Sequence, residues 1–132
     1  MPAKDHRDLR VYQLAFQSAI RIHELTKSFP DEERYSLTDQ VRRSSRSVCA
    51  NIAEAWRKRR YPKSFASKLS DADAEAAETL VWLDFALHFG YLSNLLHKEL
   101  ADACDHICRQ LTLMMAEPQK WTPRSGGVKR EA

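Results

Sequence analysis

The chain has 132 residues, of which 43% are hydrophobic and 30% charged, with a formal net charge of +3. That length suits one domain with a core large enough to fold without staples, and the balance excludes a disordered chain. Three glycines, two of them Gly126 and Gly127 near the C-terminus, argue against a β-rich fold with many tight turns.

Three cysteines, Cys49, Cys104 and Cys108, cannot all pair within one chain. Cys104 and Cys108 lie one helical turn apart, where the side chains diverge too much for easy bridging. A reduced, cytoplasmic protein is the expectation. Met1 to Arg10 is polar and charged, unlike a signal peptide. The most apolar run, Leu80 to Phe89, is interrupted by Asp84 and His88 and falls short of the roughly 20 residues of a membrane span.

The first predicted helix runs from about Asp8 to Ser28. At 100° per residue, Val11, Leu14, Ala15, Ile22 and Leu25 share one broad arc with Tyr12, Phe16, Ala19 and Ile20. That arc is about twice the roughly 100° stripe of an ordinary surface helix, so it calls for cover on two sides. His23 lies inside the arc and reads as a satisfied core histidine. Phe29-Pro30-Asp31 ends the pattern. The second helix is predicted to start between Asp31 and Ser36 and to reach about Arg60, with Leu37, Val41, Val48, Ile52 and Trp56 in line. Ser44 and Ser45 interrupt the line with small residues that let a neighbour approach closely.

Tyr61-Pro62 breaks the chain, because the residue before proline avoids the α region. Pro62 then opens a third helix to about Phe89, with Phe65, Leu69, Ala72, Ala76, Leu80, Leu83 and Leu87 on one face. Its second half is apolar almost all round, which predicts burial on all sides. Gly90 suits a C-terminal cap, and Ser93 or Asn94 an N-terminal one. The fourth helix carries Leu92, Leu96, Leu100, Ala103, Ile107, Leu111 and Met114, and stops at Pro118. Four helices joined by short loops predict an all-α, up-down-up-down antiparallel four-helix bundle over residues 1–118. Residues 119–132 read as a flexible basic C-terminal tail, with Trp121 able to cover the bundle end.

The chemistry of enzymes is missing from the pattern. Di-iron bundles need Glu-x-x-His on facing helices, and no Glu or Asp here has a His three residues later. Cys104 and Cys108 share a helix face, whereas His106 points elsewhere. Asp84 and His88, at i and i+4, can hydrogen-bond but lack a nucleophile. No phosphate loop is present. No catalytic residue, metal ligand or cofactor is expected.

Charge is distributed unevenly. Arg42, Arg43, Arg46, Arg57, Lys58, Arg59 and Arg60 form a basic block opposed only by Glu54, and Asp71, Asp73, Glu75, Glu78 and Asp84 form an acidic one. In one reading the two blocks neutralise each other across a helix contact, with Arg42 and Arg46 paired to Asp71, Asp73 or Asp84 of the same or a neighbouring chain. In the other, the basic block meets phosphates of RNA or DNA.

Ser36 to Ala55 carries Leu37, Gln40, Val41, Arg42, Arg43, Ser44 and Ser45, then Asn51-Ile52-Ala53-Glu54. Together with Asp8 to Gln13, Leu25 to Pro30 and Gly90 to Leu92, this resembles the bacterial 23S rRNA-intervening sequence protein family, over about Asp8 to Met115. Ala55 stands where that family usually has glycine, and Trp56 to Tyr61 is more basic than its usual pattern. The resemblance implies a left-handed up-down bundle and a ring-like homopentamer. A similar accessory protein of diversity-generating retroelements binds nucleic acid through the basic surface of its pentamer. The expectation is thus an oligomeric, non-enzymatic nucleic-acid-binding protein; the alternative is a protein–protein interaction scaffold with a structural basic patch.

Overall fold

The computed structural model describes residues 3–123, and four helices carry it: α1 (Arg10–Thr26), α2 (Leu37–Arg57), α3 (Pro62–His88) and α4 (Asn94–Ala116). Short 3-10 turns at His6–Asp8, Asp31–Glu33 and Pro118–Lys120 complete it. The predicted helices are all present, but their ends shift inward for local reasons. Asp8 belongs to the turn before α1, where the Asp5 carboxylate accepts from the Arg7 N–H. The second helix stops at Arg57 rather than Arg60, because the Lys58 and Arg59 N–H groups turn back to Ala55 and Trp56 carbonyls. Tyr61 N–H then bonds the Lys58 carbonyl and Pro62 starts α3.

Caps explain the remaining ends. Ser36 does not cap α2 with its own side chain. The Glu33 carboxylate replaces it, accepting from the Leu37 N–H at 3.3 Å and the Ser36 hydroxyl at 2.6 Å. After α3, Tyr91 N–H bonds the Ala86 carbonyl at 2.8 Å and Gly90 N–H the Leu87 carbonyl at 3.0 Å. This pairing needs a left-handed residue, and Gly90 has φ of 79°. Ser93 Oγ then accepts from Leu96 N–H at 3.1 Å to begin α4.

Each helix packs on the next, and α1 closes onto α4. Contacts between α2 and α3 run antiparallel: Arg43 meets Glu75 and Glu78, Ser44 meets Thr79, and Glu54 meets Lys68. Likewise, Arg42 reaches Thr26 of α1 and Arg46 reaches His23. One end of the bundle therefore gathers the start of α1, the end of α2, the start of α3 and the end of α4.

The core has two halves. Val48, Ile52, Trp56, Phe65, Leu69 and Leu111 anchor the half near that end, whereas Ile22, Phe29, Val41, Leu83 and Leu100 anchor the other. Between them, fully buried Ser44 shares a 2.8 Å hydrogen bond with Thr79 Oγ1, which also bonds the Glu75 carbonyl. The small serines do bring α2 and α3 close, as their placement predicts. Ala55 is completely buried, so its methyl fits where the family pattern has glycine.

Two predicted burials do not occur within one chain. Phe16 and Ile20 of α1 are about half exposed, and so are Val81, Phe85 and Phe89 of α3. A bundle of four helices covers only one side of each, so an arc of double width leaves its second side open. Half-buried Trp121 packs against the first half of the core; tail residues 124–132 lie outside the described residues.

Candidate nucleic-acid interface

The structure sorts the seven basic residues picked out on α2 and its C-terminal end into different roles. Arg42 is half-buried and donates Nε–H to Thr26 Oγ1 at 2.8 Å, with its terminal nitrogen 3.4 Å from the His23 carbonyl. It ties α2 to the C-terminal turn of α1. Arg43, one residue on, points about 100° round the helix toward α3. There it pairs with Glu78 and, at 3.3 Å, with Glu75, and these carboxylates raise its already high pKa. Arg46 points back to α1, 3.1 Å from His23 Nδ1.

Within this chain the pairing of the two blocks runs through Arg43 and not through Arg42 or Arg46. Asp71 instead pairs with Lys68 and Asp84 with His97 of α4 at 2.8 Å, which also replaces the expected Asp84–His88 bond. His23 sits at the edge of the α1–α2 groove, not in the core.

Beyond α2 the picture changes. Arg59 lies 3.7 Å above the Trp56 ring and donates to the Trp56 carbonyl at 2.8 Å, a cation–π stack that covers the buried indole. Arg57, Lys58 and Arg60 are exposed, and none has a carboxylate within ion-pair distance among the described residues. Lys63, exposed in the first turn of α3, stands beside them.

The N-terminal segment joins this end as well. Lys4, Arg7, Trp56 and Arg57 line a cleft of about 370 Å³, with Asp5 and Glu54 as its carboxylates. Asp5 already holds Arg7 at 3.0 Å, and Glu54 holds Lys68 at 2.9 Å. The sequence reading missed Lys4 and Arg7. Their signal lay in topology: in an up-down bundle the start of the first helix and the end of the second share one end.

Elsewhere the side chains offer little reactivity. Burial pushes the Cys49 and Cys104 thiols up to about 11, and burial with the neighbouring Asp73 pushes Cys108 up to about 12. All three stay thiols at neutral pH and are poor nucleophiles. Among the described residues, no three His, Cys, Asp or Glu side chains come together in a group able to hold a metal ion. Among the described residues, no helix is long and apolar enough to cross a membrane.

Comparison with known proteins agrees with this architecture. A crystal structure from Bacteroides thetaiotaomicron VPI-5482, described as a protein of unknown function from the S23 ribosomal protein family, is 27% identical. It superimposes with a TM-score of 0.73 over 80% of this chain and 95% of its own. No curated protein matches the sequence. A family profile described as 23S rRNA-intervening sequence protein matches residues 7–113, and the chain belongs to that family.

Proposed function

We propose that this is a non-enzymatic, self-associating protein that binds the phosphate backbone of nucleic acid through the basic end of its bundle. One observation carries the reading. Of the basic residues of α2 and its C-terminal extension, Arg57, Lys58 and Arg60 stand in solvent with no carboxylate partner among the described residues, while Arg42, Arg43, Arg46 and Arg59 are held by neighbouring groups. Free cations release condensed counterions when they meet phosphates, which favours binding without reading bases. Self-association repeats the patch, so weak single contacts add to useful avidity.

The test is retention on immobilised single- and double-stranded RNA and DNA across a salt series. Each phosphate-contacting cation contributes roughly one unit to the slope of log affinity against log salt. Reversal of Arg57, Lys58 and Arg60 to glutamate removes retention without changing the melting curve. Equal retention of wild type and the reversed variant at low salt sinks the proposal. The exposed apolar faces of α1 and α3 support a second reading, a protein-interaction scaffold. In that case the basic end only complements the C-terminal dipole of α2, and wild type shows no salt-dependent retention.

A further inference from the structure

The turn from α2 into α3 carries an exposed ring as well as cations. Tyr61 is 60% exposed, and Arg57, Lys58, Arg60 and Lys63, all exposed, lie close to it in the chain. Phe16 stacks on Tyr12 and Phe85 on Phe89, but Tyr61 has no ring partner among the described residues. Trp56 is not available in the same way: it is buried, and Arg59 covers its face at 3.7 Å. Tyr35 at the other end of the bundle makes the contrast. It is 85% exposed, yet Asp31, Glu32 and Glu33 precede it in its own turn.

The ring stands on a hydrogen-bonded turn. The Lys58 and Arg59 N–H groups bond the Ala55 and Trp56 carbonyls, the Tyr61 N–H bonds the Lys58 carbonyl at 2.9 Å, and Pro62 fixes the residue that follows. A turn held in this way needs little further ordering when a ligand binds. Positive charge continues to one side of it, because Arg57 also lines the cleft that holds Lys4 and Arg7. The two carboxylates of that cleft, Asp5 and Glu54, are held by Arg7 and Lys68.

We propose that this end takes single-stranded nucleic acid in preference to duplex, with a base stacked on Tyr61 and the flanking phosphates on Arg57, Lys58, Arg60 and Lys63. The inference rests on the phosphate binding of the proposed function and names the form of the strand. Cations alone favour the duplex, whose phosphates are denser and hold more condensed counterions. An exposed ring among the cations reverses that order. Inside a duplex each base face is covered by its neighbours, whereas a single strand offers its bases to an aromatic side chain. The stack accepts any base, since every base has a π-face.

Fluorescence anisotropy with labelled probes tests it: a short mixed-sequence RNA strand, the DNA strand of the same sequence, and the blunt DNA duplex of the same length. Wild type is expected to bind both single strands more tightly than the duplex at equal salt. Tyr61→Ala should weaken single-strand binding by roughly tenfold, the loss of one base–aromatic stack. It should leave duplex binding and the salt slope unchanged, because no cation is removed. Tyr61→Phe keeps the ring and should bind as wild type does, and so should Tyr35→Ala. Tyr61→Leu replaces the alanine variant if that one fails to melt cooperatively. Duplex binding as tight as single-strand binding, or single-strand binding unchanged by loss of the Tyr61 ring, overturns the stack and leaves phosphate binding standing. Absence of salt-dependent binding to every probe overturns both.

Discussion

The Glu33 carboxylate accepts from three groups: the Ser36 hydroxyl, the first N–H of α2 at Leu37, and the Tyr91 hydroxyl beyond α3 at 2.9 Å. The hydrogen bonds from Ser36 and Tyr91 lower its pKa from the ordinary 4.5, and the same carboxylate raises Tyr91 from 10.0. A lowered acid contributes stability that is present above its unfolded value and lost as pH falls through its folded one. A raised phenol contributes stability that is present below its unfolded value and lost as pH rises through its folded one. Tyr91→Phe should therefore melt below wild type between about pH 5 and 9. The gap should close as pH falls below 4.5 and again as it rises above 10. A gap independent of pH would separate Tyr91 from Glu33. Ile52 stands for the core: it is completely buried in α2. Ile52→Asp places an unpaired carboxylate there, at a cost of several kcal/mol against a total stability of roughly 5–15 kcal/mol. Loss of the cooperative melt, followed by circular dichroism, is the expected outcome.

At the scale of elements, the helices follow from periodicity and their ends from individual atoms. Proline, glycine and serine marked the breaks at Pro62, Gly90 and Ser93 correctly. They did not mark the end of α2, where no breaker stands between Trp56 and Arg60 and the Lys58 and Arg59 N–H groups turn back to the Ala55 and Trp56 carbonyls. Gly90 offers a clean test. A Cβ there meets nothing within 4 Å, so the only penalty is backbone conformation at positive φ. Gly90→Ala should destabilise by about 1 kcal/mol, with a lower urea midpoint and an unchanged m-value. Gly90→Asn should lose less, since asparagine tolerates the left-handed region. A larger loss, or a changed m-value, would point to something other than local strain.

At the scale of the whole molecule, the bundle has a basic end and two uncovered apolar flanks. The proposed self-association, seated on those flanks, would link folding to association, so the melting temperature should rise with protein concentration. Differential scanning calorimetry over a hundredfold range in concentration checks this; a constant melting temperature would mean that the exposed rings stay in solvent. Phe16→Glu and Phe85→Glu should each abolish the concentration dependence, while charge reversal at Arg57, Lys58 and Arg60 should leave it in place. The two surfaces are thereby separable, one answering to apolar burial and the other to salt.

The amino-acid sequence by itself determined the class of fold, the four helices, and the buried line Val41, Val48, Ile52 and Trp56, because a 3.6-residue period places apolar side chains on one face whatever the neighbours are. It also carried the family pattern, and the excess of apolar surface on α1 and α3. Tertiary structure alone decided what each charged side chain meets. Arg42, Arg43 and Arg46 lie within two turns of one helix, yet two reach α1 and one reaches α3, since a rotation of 100° per residue points neighbours at different helices. Helix rotation and axial offset arise from packing between distant segments such as Ser44 and Thr79, which no local pattern encodes. The same packing set Lys4 and Arg7 beside Arg57, and left Arg57, Lys58 and Arg60 without a partner carboxylate among the described residues.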